Sequence, residues 1–326
     1  MMSTQRSDDT WIDLIAQARR RIEGFAVQTP VALVQNDEHW PSTTQVYFKL
    51  EHLQKTGAFK LRGATNKIFS LSAEQAAAGV ITSSTGNHGL AVATAAIFKG
   101  IDAEVVVSAQ VAEAKLKAIQ ACGARITHVG DNPLDAEIAA RMMAETSGRT
   151  YVPPYNDRMV IAGQGTLGAE LLEQVPQLDA VFVAVGGGGL IGGIGAYVKA
   201  VSPRTEVVGC WPENSRVLYE SLKTGKVIEF PEQYTVSEST AGGVEAGSIT
   251  LPLCQKVVGR RVLVSERKIL SATQWAHQKG WPVEAAAGVA IGAFFEVADF
   301  YKEKTVAIVL CGKNLSPGVE KLLRES

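Results

Sequence analysis

Three short segments hold the residue types that chemistry needs. In Lys55-Thr56-Gly57-Ala58-Phe59-Lys60-Leu61-Arg62-Gly63 the second lysine, Lys60, stands between Phe59 and Leu61 just after a glycine turn. Apolar neighbours can hold an amine partly out of water, which disfavours the ammonium form and makes the amine a usable nucleophile toward a carbonyl compound. Taken alone, such a lysine is more often a solvated residue at a helix start. The second segment, Ser83-Ser84-Thr85-Gly86-Asn87-His88-Gly89, lies between the apolar run Val80-Ile81 and the helical pattern from Leu90. Hydroxyls and backbone N–H groups at a helix N-terminus suit a carboxylate. In the third, the apolar strand Val181–Val185 runs into Gly186, Gly187, Gly188 and Gly189, then a helix. Glycines let the backbone approach a phosphate closely and turn several N–H groups toward it.

The elements that must position these segments follow from periodicity. A polar start leads into an amphipathic helix over about 10–23, broken at Thr29-Pro30, and 46–50 reads as a strand. From Gly79 short strands and helices alternate: strands at 80–83, 103–108 and 125–129, helices at 87–99, 112–122 and 133–145. The alternation resumes beyond Pro153-Pro154 with a helix from Gln164, strands at 180–185 and 205–211, and helices at 190–201, 265–279 and 284–301. A strand at 305–310 and a last helix from Ser316 close the pattern. Such alternation means βαβ units and parallel sheets, an α/β protein.

Composition narrows the class. The chain has 326 residues, room for about two domains, and 46% of them are apolar. Net charge is −1, with 32 basic and 33 acidic side chains and no basic block, so nucleic acid is not an expected partner. No run approaches the ~18 apolar residues of a membrane span, and the N-terminus lacks an apolar signal core. Cys122, Cys210, Cys254 and Cys311 are scattered, which points to reduced thiols in the cytoplasm and to no zinc site.

With these segments in order, and with Ile161-Ala162-Gly163-Gln164-Gly165-Thr166, Thr240-Ala241-Gly242-Gly243-Val244 and Leu310-Cys311-Gly312-Lys313-Asn314, the chain resembles the fold type II pyridoxal-phosphate enzymes. Within them it is similar to the threonine/serine dehydratase and serine racemase group, in the neighbourhood of hydroxyectoine-utilisation and phenylserine dehydratases. The resemblance runs from about Ile22 to the C-terminal helix. It implies the tryptophan synthase β-like fold, two open twisted, mostly parallel sheets covered by helices. A large domain would be built from 1–78 and 154–326, with a small domain at 79–153, in a homodimer.

Residue by residue, the resemblance implies that Lys60 forms the imine with pyridoxal 5'-phosphate and, once displaced by the substrate, removes the α-proton. Phe59 would pack on the pyridine ring, Asn87 would bond its phenolic oxygen, and Gly186–Gly189 would bind the phosphate. Cys311 would meet the pyridine nitrogen. A thiol holds that nitrogen protonated less well than a carboxylate, which favours prompt loss of a β-hydroxyl; the plainer reading is a buried apolar cysteine. Ser84, Thr85, Asn87 and His88 would hold the substrate carboxylate, although His88 fits equally as a satisfied helix-start histidine. The implied activity is elimination of water from a β-hydroxy-α-amino acid to give a 2-oxo acid and ammonia, with amino-acid racemisation as the alternative. Thr85 stands where the racemases carry a serine on the face opposite the lysine; its methyl and stiffer χ1 weigh against racemisation. The acidic metal ligands of the serine racemases fall at Trp211 and Val217, so no metal is expected. Gly242 replaces an aspartate, implying a roomier, less polar substrate pocket. A competing pattern, G-x-G-x-x-G at 187–192 with Glu206 and Glu213 some way on, fits a dinucleotide site only weakly.

Overall fold

The computed structural model describes residues 10–325 apart from 110 and 112. The chain opens with helix α1 (Trp11–Ile22), started by a capping box in which Thr10 accepts from Asp13 N and Asp13 reaches back to Thr10 N. Strands β1 (Val31–Val34) and β2 (Gln45–Lys49) precede α2 (Lys60–Phe69) and the short α3 (Ala73–Ala78). Then come β3 (Val80–Ser83), α4 (Asn87–Phe98), β4 (Ala103–Val107), α5 (Glu113–Ala121), β5 (Arg125–His128), α6 (Pro133–Ser147) and β6 (Thr150–Tyr151). The second half runs α7 (Arg158–Gln174), β7 (Ala180–Ala184), α8 (Gly189–Val201), β8 (Glu206–Pro212), α9 (Val217–Thr224), α10 (Thr250–Val257), β9 (Arg260–Val264), α11 (Glu266–Gln278), α12 (Ala285–Val297), β10 (Thr305–Val309) and α13 (Pro317–Glu325).

Two sheets form. The larger has the order β1-β2-β10-β7-β8-β9 and is parallel except for the β1–β2 pair. Its inner strands are apolar runs buried on both faces, as parallel strands covered by helices must be. The last strand, β10, inserts between β2 and β7, so the two ends of the chain share one sheet. Strand order reverses there, and in open parallel sheets ligands sit beyond the carboxyl ends of the strands at such a point. The smaller sheet, β5-β4-β3-β6, is parallel throughout. One face packs on α4, α5 and also on Leu61, Ala64 and Ile68 of α2; the other packs on Ala136, Ala140 and Ala144 of α6. Helix α2 thus belongs to the core of the smaller sheet while crossing α7 beside the larger one.

Two expected helices differ in extent. The segment expected from Gln164 starts earlier, at Arg158, because Asp157 caps it by accepting from Met159 N and Val160 N. The Ile161–Thr166 motif therefore lies inside a helix, and Gln164 is buried where α7 meets Gly63. The helix expected over 284–301 ends at Val297 and tightens into a 3₁₀ turn, Ala298–Tyr301. Several short elements (β1, α3, β6, α9, α10 and β9) carry too little periodicity to stand out in the sequence.

Candidate active site

The elements converge on a cavity of about 150 Å³ at the carboxyl ends of β7 and β10. Phe59, Lys60, Pro154, Tyr155, the glycines 186–189, Ser239 to Gly243, Glu284 and Cys311 line it. Lys60 is the first residue of α2, and the preceding loop is held against the end of β10: Phe59 N donates to the Cys311 carbonyl at 2.9 Å and Lys313 N to the Gly57 carbonyl at 2.9 Å. This pairing brings Lys60 and Cys311 to the same cavity. Lys60 Nζ donates to the Pro154 carbonyl at 2.9 Å and lies 5.3 Å from the Phe59 ring centroid. Burial lowers its pKa to about 8, with the charge of Glu284 pulling the other way. The other two lysines of this segment sit elsewhere: Lys55 is exposed over the Phe25 ring, and Lys67 pairs with Asp157 at 2.7 Å.

The glycine run leaves β7 and enters α8, with Gly188 in the left-handed region at φ 87°. A Cβ on Gly186 would stand 2.9 Å from the Thr240 carbonyl oxygen, and one on Gly187 would overlap the Tyr155 ring. The run therefore forms a bare backbone cradle at a helix N-terminus, which suits an anion such as a phosphate ester.

Cys311 is buried, and burial pushes its thiol well above the ordinary range, so it stays neutral. Asn87, the first residue of α4, reaches across from the smaller sheet: its Nδ2 donates to Glu284 Oε2 at 2.8 Å and its Oδ1 accepts from Asn314 Nδ2 at 2.6 Å. Ser84 and Thr85 lie partly exposed on the loop before α4, outside the cavity lining. His88 is buried beneath them and its Nε2 donates to the Val152 carbonyl at 2.9 Å, two residues before Pro154. Burial and the Lys60 charge lower its pKa to about 3, so the ring is neutral. Its one proton is on Nε2, and its remaining nitrogen points at no partner among the described residues. Both roles remain open to His88: it is held through Nε2 alone, and its Nδ1 is buried without a partner among the described residues. Trp211 and Val217 are both buried, with the Trp211 ring edge-on to Tyr219 at 5.5 Å.

Sequence reasoning missed several lining residues, Ser239 among them. Pro154 had been visible only as a chain break. Tyr155 follows it, and Glu284 is the lone acid ahead of a helix that stays apolar through Phe295. That isolated charge before Ala285-Ala286-Ala287 was the available signal.

The family model described as "Pyridoxal-phosphate dependent enzyme" matches residues 22–312. The chain belongs to this family. Threonine ammonia-lyases and serine racemases are both among the relatives. The L-threonine ammonia-lyase of Thermotoga maritima is 38% identical over 272 residues, 83% of this chain and 67% of that one. The serine racemase of Arabidopsis thaliana is 33% identical, covering 93% of each chain. Among solved structures, maize serine racemase superposes with a TM-score of 0.86 at 30% identity, over 97% of this chain and 99% of that one. As a member of the pyridoxal-phosphate family the chain is an enzyme that uses this cofactor. The residues present fit it: a glycine cradle that side chains would fill, an amine of lowered pKa, an aromatic ring beside that amine, and a buried neutral thiol at the strand end.

Proposed function

We propose that the enzyme is a carbon–oxygen lyase that removes water from a β-hydroxy-α-amino acid, releasing a 2-oxo acid and ammonia. The observation that carries this reading is Lys60, an amine of pKa about 8 in a cavity shared with the glycine cradle and Cys311. When bound, pyridoxal phosphate supplies an electron sink for the pair left by the broken Cα–H bond. Lys60 is the base that takes that proton, tethered beside the carbon it serves. The N–H groups of Gly186–Gly189 would hold the phosphate, Phe59 would back the ring and Asn87 would donate to the ring's oxygen edge. Cys311, held neutral, would give the ring nitrogen no strong acid, which favours departure of the β-hydroxyl over slower fates. Ser84 and Thr85, with the backbone N–H groups that open α4, receive the substrate carboxylate.

Gly242 is exposed at φ 117° with nothing within 4 Å of its missing Cβ. That open space supports a substrate side chain larger or less polar than that of serine. Racemisation is the second reading, favoured by the Thr85 hydroxyl on the facing loop and by the serine racemases among the relatives. Deuterium wash-in with chiral analysis of leftover substrate, run on serine, threonine, 3-hydroxyaspartate and phenylserine, tests both. Elimination is expected to dominate and serine to be the poorer substrate. Inverted substrate accumulating faster than 2-oxo acid overturns the lyase reading.

The reading carries with it a cytoplasmic location, supported by four cysteines that are all free, and a homodimer, which rests on the family resemblance alone. It also carries a large domain at 1–78 and 154–326 and a small one at 79–153, supported by the two separate sheets. Helix α2, though it falls in the first segment, packs on both. Among the described residues no helix is long and apolar enough to cross a membrane.

A further inference from the structure

Glu284 has no task in the reaction just described, yet it is the one acidic side chain among the described residues lining the cavity. It is 3% exposed, at the head of a helix whose next ten residues are all buried. A carboxyl so placed costs stability unless its partners and its use offset the lost hydration. It is fixed from several sides. Asn87 Nδ2 donates to Oε2 at 2.8 Å, and Asn87 has no freedom to flip, because Asn314 Nδ2 donates to its Oδ1 at 2.6 Å and to the Thr56 carbonyl at 2.9 Å. Glu284 N donates to the Gly312 carbonyl at 2.9 Å, and a Cβ on Gly312 would stand 2.9 Å from the carboxyl carbon. Cys311 Sγ lies 3.9 Å from Oε1.

Of the titratable groups that line the cavity with Glu284, namely Lys60, Tyr155 and Cys311, Lys60 from the start of α2 and Cys311 from the end of β10 interact with it electrostatically. Cys311 is a neutral thiol, so Lys60 is its one charged counterpart in the cavity. Burial pushes the carboxyl up and the amine down, which brings their proton affinities toward each other.

We propose that Glu284 is the proton store for Lys60. The amine must be free when it bonds the cofactor, and free again after it has taken the Cα proton. At each of those points one ammonium N–H bond breaks and one carboxyl O–H bond forms; between them the carboxyl proton leaves on the departing β-hydroxyl as water, so the store is empty before it fills again, with no change in electrons and no further reactant. The proton returns to Lys60 as the site resets. The inference rests on Lys60 being the cofactor lysine.

The test follows capture of pyridoxal phosphate by unloaded protein, read by absorbance, from about pH 6 to about pH 10. It compares wild type with Glu284→Gln and Glu284→Asp. Loss of the carboxylate removes the counter-charge from the Lys60 ammonium, so in Glu284→Gln the inflection should fall by about half a unit or more. Glu284→Asp should keep most of the wild-type inflection. In the loaded enzyme Glu284→Gln should lower kcat roughly tenfold or more while cofactor affinity stays within about threefold. A merely structural role would not move the inflection, and an unmoved inflection overturns the proposal. Should Glu284→Gln fail to fold, the wild type decides by infrared difference. Loading should raise a protonated-carboxyl band that Lys60→Ala does not show, and its absence also overturns the proposal. Capture on a lysine other than Lys60 rejects the reading of the site itself. Capture on Lys60 without a shift rejects only the role of Glu284.

Discussion

Gly63 and Gly163 touch where α2 crosses α7: a Cβ on Gly163 would stand 2.6 Å from the Cα of Gly63 and 2.6 Å from the Arg62 carbonyl oxygen. Lys60 is one turn back on α2, so this crossing sets the height of the amine against the Pro154 carbonyl. Overpacking at such a contact costs ~1–3 kcal/mol and shifts backbone. Gly163→Val should therefore weaken cofactor affinity roughly tenfold or more, with Gly163→Ala milder. Fluorescence titration with pyridoxal phosphate measures this, and circular dichroism shows whether the fold persists. Unchanged affinity in a folded Gly163→Val would detach the crossing from the site.

Lys60→Ala should lose turnover by several orders of magnitude, since one group serves as both nucleophile and base. Borohydride should fix the cofactor on Lys60, and label on Lys55 or Lys67 would contradict the geometry. In the unloaded protein the rate of cofactor capture should rise with pH through about 8, as the amine loses its proton. Stability moves in the same direction. The folded pKa lies below the unfolded value of 10.5, so between about 8 and 10.5 the unfolded chain binds more protons and the unloaded protein gains stability as pH rises. Below about 8 the cost of the buried ammonium is present in full. Lys60→Met should thus raise the Tm of unloaded protein at neutral pH, and a lower Tm would refute that.

Much of this site was legible because its parts are local. A strand, a glycine run and a helix start fall in one stretch at Val181–Gly193, and Lys60 carries its own apolar flanks. What closes the site is not local. Lys60 meets Pro154 across 94 residues, and Asn87 meets Glu284 across 197. No periodicity encodes such pairings. The same holds for the fold: alternation foretold the parallel sheets, but only the insertion of β10 between β2 and β7 joins the two ends of the chain. Strand β9 escaped notice because it begins Arg260-Arg261, an edge strand whose charges blur its alternation.

The glycine cradle tolerates no side chain at Gly187, where a methyl would overlap the Tyr155 ring. That ring is itself held, since Tyr155 Oη accepts from Glu245 N at 2.9 Å. Gly187→Ala should reduce cofactor affinity by roughly two orders of magnitude, because the ring blocks the shift that would relieve the clash. The double variant with Tyr155→Ala should recover part of the loss. No recovery would mean that the methyl obstructs the phosphate rather than the ring.

His88 gives the fold an acid-sensitive point. Its folded pKa of about 3 lies below the ordinary 6.5, so between those values the unfolded chain binds a proton that the folded chain refuses. Stability must fall as pH drops below about 6.5, by up to roughly 1.4 kcal/mol per unit. His88→Asn should flatten that slope, with denaturant midpoints at about pH 5 and about pH 7 as the measurement. Equal slopes in the two proteins would place the acid sensitivity elsewhere.

Arg62 follows Lys60 by two residues and is wholly buried between two carboxylates. Its Nε and Nη2 donate to Glu51 at 2.8 Å each, and its Nη1 and Nη2 to Glu170 at 2.6 and 2.7 Å. Lys49 Nζ completes the cluster, donating to Glu170 at 2.7 Å and to the Thr29 carbonyl at 2.6 Å. Burial alone would raise the Glu51 pKa, but the Arg62 guanidinium holds it below the ordinary value, so the cluster is two cations against two anions. Removing one cation strands charge in a dry interior, which costs about 3–5 kcal/mol. Arg62→Met should show a loss of that size in denaturant unfolding. Arg62→Lys should fall between, because an ammonium keeps the charge and cannot reproduce the two-sided fork. The first turn of α2 hangs from this fork, so in both variants cofactor affinity should fall together with stability. A loss below ~1 kcal/mol in Arg62→Met would mean that the cluster relaxes or takes up water, and that Lys60 is positioned by the Gly63–Gly163 crossing alone.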